Sequence, residues 1–265
     1  MRIRKAKPSD KKPILAFLHR TFQWGDYVAN VWDTWLARKT LFTLEERGKP
    51  IGICNASLSK NQLWIEGLRV NPKFRRRGYA SKLVLKAESV ARKKGRKTSR
   101  MLIAQGNARS LKMARSLGYR IEGKWWLYNL RPKRHETSVH LATNAKQLNG
   151  LIDSDTYSES WEWFPLDTLA IAKLIKNKKV VVLSQKNKAT GIGIWNKSEL
   201  DSDVLQLGYI NGTKPGMRMI LHYMQNKAHL LKSKRIQVLA EDKTKLNEKN
   251  LDKRMLFCLM RKDLG

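Results

Sequence analysis

The sequence predicts an α/β (α+β) fold: a mixed, mostly antiparallel sheet flanked by helices, followed by a second, smaller domain of the same kind. Three observations predict it. Strand-like and helix-like patterns alternate through the first half of the 265 residues. The helical stretches each carry one apolar face, as helices packed on a sheet require. The second half then repeats the order of the first.

Residues 1–5 read as a strand. Pro8-Ser9-Asp10 supplies a helix start, with Ile14, Leu15, Leu18 and Phe22 at helical spacing behind it. A second amphipathic helix covers 28–38, where Val31, Trp32, Trp35 and Leu36 share a face. Residues 41–45 and 51–58 pattern as strands joined across Arg47-Gly48-Lys49-Pro50, a turn by composition. Another strand, 62–70, leads into the loop Asn71-Pro72-Lys73. From Ala80 a helix carries Leu83, Val84, Ala87, Val90 and Ala91 inward, and Gly95 fits its C-terminal cap. Residues 101–104 form a short apolar strand, 108–117 a helix stopped by Gly118, and 119–130 the closing strands.

Arg131-Pro132-Lys133-Arg134-His135 reads as a linker, which gives domains 1–135 and 136–265. Beyond it, 178–183 patterns like 39–44, 189–193 like 49–53, 203–210 like 62–70, and 255–264 like 125–130. Four matches in one order point to an internal duplication.

Charge is the unusual feature of the composition. Lys and Arg number 54 against 22 Asp and Glu, a formal +32. Residues 1–135 hold 33 cations and 8 carboxylates, and residues 136–265 hold 21 and 14. Such a field attracts polyanions such as RNA, or a phosphate-rich substrate; the competing explanation is plain solvated surface. The densest run, Arg92-Lys93-Lys94-Gly95-Arg96-Lys97 with Arg100, is either a solvated helix end or an RNA or ribosome contact. No apolar run reaches bilayer length, and the basic N-terminus lacks the apolar stretch of a secretory leader, so the expectation is a cytoplasmic protein without membrane contact. Cys54 and Cys258 read as buried, reduced thiols. His19, His135, His140, His222 and His229 lack metal-ligand spacing, so no metal is expected.

The chemistry sits in Glu66-Gly67-Leu68-Arg69-Val70-Asn71-Pro72-Lys73-Phe74-Arg75-Arg76-Arg77-Gly78-Tyr79-Ala80: a strand, a basic loop, then a helix start. Such a junction aims unpaired backbone N–H groups and a positive helix end at one point, where a phosphate is the natural guest. The spacing fits neither a Walker A loop nor a three-glycine dinucleotide fingerprint.

On these residues the chain resembles the GNAT acetyltransferase superfamily. Arg75-Arg76-Arg77-Gly78-Tyr79-Ala80 fits its acyl-CoA signature, Leu68-Arg69-Val70-Asn71-Pro72 the strand before it, and Asn107 with Ser116-Leu117-Gly118-Tyr119 its following helix. The resemblance implies a tandem GNAT-like protein that uses acetyl-CoA as donor. Backbone groups at Leu68, Arg69 and Val70 are then expected to pair with the pantetheine arm. Arg75, Arg76, Arg77, Gly78, Tyr79, Ala80 and Ser81 would hold the pyrophosphate, and Asn107 would bond the arm.

Glu66 is the candidate base; its alternative role is an ion pair with a nearby cation. The family's usual tyrosine is replaced by Ala114, so Tyr119, Tyr128 or solvent must protonate the leaving thiolate. Trp24, Asp26 and Tyr27 are candidates for the acceptor, with Asp26 offered to an ammonium group and the rings to stacking. Trp32 and Trp35 at helical spacing fit a core better. The second half lacks the signature: Thr213-Lys214-Pro215-Gly216-Met217-Arg218 stands in its place, and Pro215 has no N–H to offer. Two classes of function follow. One is an N-acetyltransferase acting on a primary amine, a small amine or amino acid before a protein amine. The other is a nucleic-acid- or ribosome-associated protein on the same scaffold.

Overall fold

The computed structural model describes residues 1–18, 26–59, 61–185, 188–199, 201–246 and 248–265. Arg2–Lys5 forms the first strand, β1, and Arg4 fixes the turn after it. Its guanidinium holds the buried Asp10 carboxylate at 2.7 and 2.9 Å, and the Lys7 N–H donates to the same group at 2.8 Å. Burial alone would raise the Asp10 carboxyl, but these bonds keep it below its ordinary range. Helix α1 (Lys11–Leu18) follows and buries Ile14 and Leu18; Phe22, expected behind them, lies outside the described residues. Helix α2 (Val28–Ala37) buries Val28, Val31, Trp32 and Trp35, so the tryptophan pair is core, as its spacing suggests.

The strands β2 (Leu41–Glu46), β3 (Lys49–Ser59) and β4 (Gln62–Val70) form an antiparallel meander. Helix α3 (Tyr79–Lys93) then crosses over, and β5 (Thr98–Ala104) returns parallel to β4. Its first three residues are polar, which hides them from an apolar pattern, yet Ser99 and Arg100 are buried. Arg100, expected in a solvated basic run, pairs instead with Glu122 at 2.7 and 2.8 Å and with Gln62 at 2.6 Å. Helix α4 (Ala108–Ser116) precedes β6 (Arg120–Leu130). Gly95 and Gly118 end α3 and α4 with φ of +69° and +87°, the conformation a C-terminal cap needs. Leu83, Val84, Ala87, Leu111 and Ala114 pack on Phe42, Leu44, Cys54, Leu63 and Ile65, so α3 and α4 cover one face of the sheet. Burial pushes the Cys54 thiol up to about 12, which leaves it unreactive.

The second half continues with β7 (His140–Leu141), the hairpin β8 (Thr156–Glu159) and β9 (Glu162–Pro165), and α5 (Thr168–Lys176). The strands β10 (Val180–Gln185), β11 (Lys188–Lys197) and β12 (Val204–Gly212) repeat the meander. Helix α6 (Lys214–Leu230), β13 (Arg235–Glu241) and β14 (Asp252–Asp263) complete the chain. Trp163 is fully buried and stands edge-on to Trp125 at 5.5 Å, so this tryptophan pair is core.

Contacts divide the chain into two compact units, Met1–Glu122 with Cys258–Gly265, and Gly123–Phe257. The first has the strand order β1-β2-β3-β4-β5 followed by the end of β14, and the second β6-β13-β12-β11-β10-β7. Each is a mixed, mostly antiparallel sheet with helices on it, the predicted class. The division differs from a cut at residue 135. Residues 125–130 pair antiparallel with β13, Trp125 opposite Glu241 and Leu130 opposite Ile236. Cys258, Met260 and Leu264 are buried in the core of the first unit. A linker-like composition marks where the chain is polar, not which strand each residue pairs with. Among the described residues no helix is long and apolar enough to cross a membrane.

Candidate active site

In the first unit β4 and β5 pair from Gln62 opposite Thr98 to Ile65 opposite Met101, and no further. Both strands continue, β4 to Val70 and β5 to Ala104, so they part like an opened V. On its other side β4 bulges. Ile53 faces Arg69 and Asn55 faces Glu66, which leaves Gly67 and Leu68 opposite Cys54 alone. A bulge leaves a residue's backbone groups outside the ladder and turns the strand. Glycine is required here: Gly67 has φ +59°, and a Cβ would sit 2.6 Å from the Trp35 ring.

Past Val70 the chain forms a short turn over Pro72–Phe74, capped by Asn71 Oδ1 accepting from the Lys73 N–H at 3.1 Å. Arg75 reaches back, its Nε donating to the Val70 carbonyl at 3.2 Å. Arg76 and Gly78 both take positive φ, +64° and +71°, and Gly78 has open space where a Cβ would be. Helix α3 starts there without a side-chain cap. The starts of α4, α5 and α6 differ: Asn107, Asp167 and Thr213 accept the N–H of Ser110, Ala170 and Gly216. The first amides of α3, at Tyr79, Ala80 and Ser81, have no carbonyl one turn back and remain as donors at the positive end of the helix.

Glu66 is half-buried between these features. Asn55, fully buried, donates from Nδ2 to Glu66 Oε1 at 2.9 Å. The Asn55 Oδ1 is buried with no partner among the described residues. Enclosure of its hydroxyl, and then the Glu66 charge, hold the Tyr27 phenol above its ordinary range. The Tyr27 ring stands edge-on to Trp35 at 6.0 Å, and the Arg69 guanidinium lies over it at 5.6 Å. Tyr27 thus stands at the bulge beside Glu66.

Other expected residues take different roles. Asp26 does not stand ready for an ammonium group: Arg69 grips it through Nε at 2.7 Å and Nη2 at 3.3 Å, and its Oδ1 accepts the Val28 N–H. Its side chain is only 3% exposed, so its charge is already matched. Tyr119 does not face the bulge as an acid. It is buried in the core, 2.6 Å from Ser99 Oγ and donating to Glu88 at 3.0 Å. Burial raises its phenol further, which makes it a poor proton donor. Tyr128 belongs to the core of the second unit. The Tyr79 hydroxyl bonds Glu46, so only its backbone belongs to the helix start. Asn107 spends Oδ1 on Ser110 and keeps Nδ2 available. Trp24 lies outside the described residues. Asn55 was not foreseen, although a polar residue inside the apolar run Ile53-Cys54-Asn55-Ala56 is a signal of a kind.

The second unit repeats this frame without its working parts. Strands β12 and β13 pair from Val204 opposite Arg235 to Leu207 opposite Val238, then stop, and Gly208 forms the bulge. Counted from the last parallel pair, Gly208 follows Leu207 as Glu66 follows Ile65. The Ser158 carbonyl fills the place where a Cβ on Gly208 would be. Segment 151–156 fastens to both strand ends: the Tyr209 hydroxyl lies 2.9 Å from Asp153 Oδ1 and 3.0 Å from the Leu151 carbonyl, with its one proton for either, and Ser154 donates to Glu241 at 2.6 Å. Only Thr213 separates β12 from α6, where residues 71–78 separate β4 from α3. Residues 214–218, read above as the counterpart of the basic loop, are the first turn of a helix.

Residues 12–119 match the acetyltransferase (GNAT) family. Along the whole chain the fold is similar to that of a protein from Thermoplasma acidophilum, with 14% identity, a TM-score of 0.67 and coverage of 99% of this chain and 100% of the other. The GCN5-related N-acetyltransferase from Sphaerobacter thermophilus gives 14%, 0.66, 99% and 95%. A tandem GNAT protein from the clavulanic acid biosynthesis pathway gives 11%, 0.55, 100% and 99%. No curated protein matches the sequence. Identities this low establish the fold alone. Residues 12–119 belong to the acetyltransferase (GNAT) family, and the chain as a whole has the fold of a tandem GNAT protein.

Proposed function

We propose that the first unit transfers the acetyl group of acetyl-CoA to a primary amine, a small amine or an amino acid, by direct attack. The observation that carries this reading is the joining of an opened β4–β5 edge to an uncapped, glycine-led helix start. The edge offers backbone groups at Leu68, Arg69 and Val70 to an extended amide-bearing arm. The amides from Arg75 to Ser81, with the cations of Arg75, Arg76 and Arg77, suit a pyrophosphate. The Nδ2 of Asn107 can bond the arm from the other strand.

Glu66, oriented by Asn55, takes the proton of the attacking amine directly or through one water. The C–N bond forms, the C–S bond breaks, and backbone N–H groups freed at the bulge stabilise the oxyanion between the two. With Tyr119 turned into the core, the leaving thiolate takes its proton from solvent. Since Asp26 is matched by Arg69, which also lies over the Tyr27 ring, a cationic acceptor meets the Glu66 carboxylate instead. The second unit, with Gly208 at the base position and a one-residue connection, is a degenerate repeat with no donor site.

The test is the thermal midpoint with and without acetyl-CoA, at moderate and high salt, for the native chain and Gly78→Glu. A ligand at about a hundred times its Kd stabilises by roughly 2.7 kcal/mol. A shift that survives high salt and vanishes in Gly78→Glu supports the reading. A shift reproduced by phosphate or heparin, or none at any concentration, sinks it.

A further inference from the structure

Residues 71–120 contain sixteen Lys and Arg and one carboxylate, Glu88. The structure removes that carboxylate from the surface. Glu88 is fully buried and accepts from Lys262 at 2.7 Å and from Tyr119 at 3.0 Å, with Arg92 at 3.4 Å. Because α3 and α4 cover the same face of the first unit, their outward sides form one helical layer with no exposed acidic residue. Lys86, Lys93, Lys94, Arg109, Lys112 and Arg115 are exposed on it. None of the six has a carboxylate partner among the described residues. Surface helices ordinarily set glutamates three or four places from lysines, and like charges at that spacing, as at Lys82 and Lys86, oppose the helix.

We propose that the α3–α4 face of the first unit is a docking surface for a nucleic-acid backbone. The partner must be a polyanion, because the face has charge of one sign and nothing to neutralise it. Among polyanions an anionic membrane fits poorly: the apolar sides of both helices are spent on the core, and Leu85 is the one large apolar residue exposed on either helix among the described residues. No exposed aromatic residue stands on either helix, so the contact is to phosphates without base stacking, and binding tolerates sequence. The four positions substituted below lie outside the residues assigned to acetyl-CoA, so the proposal does not depend on the acetyl-transfer reading.

The test is fluorescence anisotropy of a labelled single-stranded RNA and of a hairpin, titrated across sodium chloride. It compares the native chain with the quadruple variant Lys86→Glu, Lys93→Glu, Lys112→Glu, Arg115→Glu. Anionic phosphatidylserine vesicles are assayed in parallel. Removing four phosphate contacts should weaken RNA binding at least tenfold near ~0.1 M salt and reduce the slope of log K against log salt by about 3. The matching four-alanine variant, at exposed positions, should show the same trend with an unchanged thermal midpoint, which separates lost contacts from lost folding. Equal RNA binding by native and variant chains overturns the proposal. So does absence of RNA binding at low salt, or retention on vesicles stronger than on RNA.

Discussion

Asn55 and Glu66 face each other across β3 and β4, and the 2.9 Å bond between them decides which way the carboxylate points. Replacing Glu66 with Gln keeps that shape and removes the proton acceptor. We expect kcat to fall roughly a hundredfold or more, with acetyl-CoA affinity unchanged, in a thiol-release assay. Unchanged turnover would assign the proton to another group. A second residue-scale case is Glu122. Burial would raise its carboxyl, but Arg100 and Arg261 hold it below its ordinary value of 4.5. Its stabilisation is therefore complete above that pH and is lost as pH falls through the lower folded value. In Glu122→Gln the acid side of the stability curve should flatten. At neutral pH the variant should lose about 3–5 kcal/mol, because Arg100 is left buried without its carboxylate. Residues of this kind were only half legible. The glycine loop and Glu66 announce themselves by local pattern. Asp26 does not, because its partner Arg69 lies 43 residues away, and nothing in a lone loop carboxylate tells a ligand from an ion pair.

Among the elements, β4 is the one that geometry singles out. Its bulge depends on Gly67 twice, through a left-handed φ and through the Trp35 ring seated against it. Gly67→Ala should destabilise the chain by about 1–3 kcal/mol through overpacking. It should also weaken acetyl-CoA binding, because the strand edge moves with the bulge. Calorimetric unfolding and a binding titration on the same variant check both; a stable, tightly binding Gly67→Ala would show the bulge to be incidental. Periodicity found the elements of the first half, since amphipathic helices and apolar strands are local patterns, but in the second half it gave only β10, β11, β12 and β14 and left α5, α6 and β13 unread. It missed the start of β5, where Thr98, Ser99 and Arg100 satisfy their polar groups inside the structure. The likeness of the two halves also set Thr213–Arg218 as the counterpart of the basic loop, whereas Pro215 is at home in the first turn of α6.

For the whole molecule, composition reads as two domains meeting at residue 135, and strand pairing gives a different division. Cys258, Met260 and Leu264 complete the core of the first unit, and Lys262 supplies the cation for buried Glu88. A chain cut after residue 135 should therefore fail to fold cooperatively, and Met260→Ala in the intact chain should cost about 2–5 kcal/mol. A cooperative thermal transition from residues 1–135 alone would contradict that division. The duplication was legible because each half repeats the same run of local patterns. The placing of the last strand was not, because two similar strands, 125–130 and 255–264, fit either sheet edge by pattern alone.

The most direct measurement is the stoichiometry of acetyl-CoA binding by isothermal titration calorimetry. One molecule per chain is expected, lost in Gly78→Glu and retained in Thr213→Ala, since only the first unit keeps an uncapped helix start behind an opened strand pair. Two molecules per chain, or one that survives Gly78→Glu, would contradict the assignment of the donor site to the first unit.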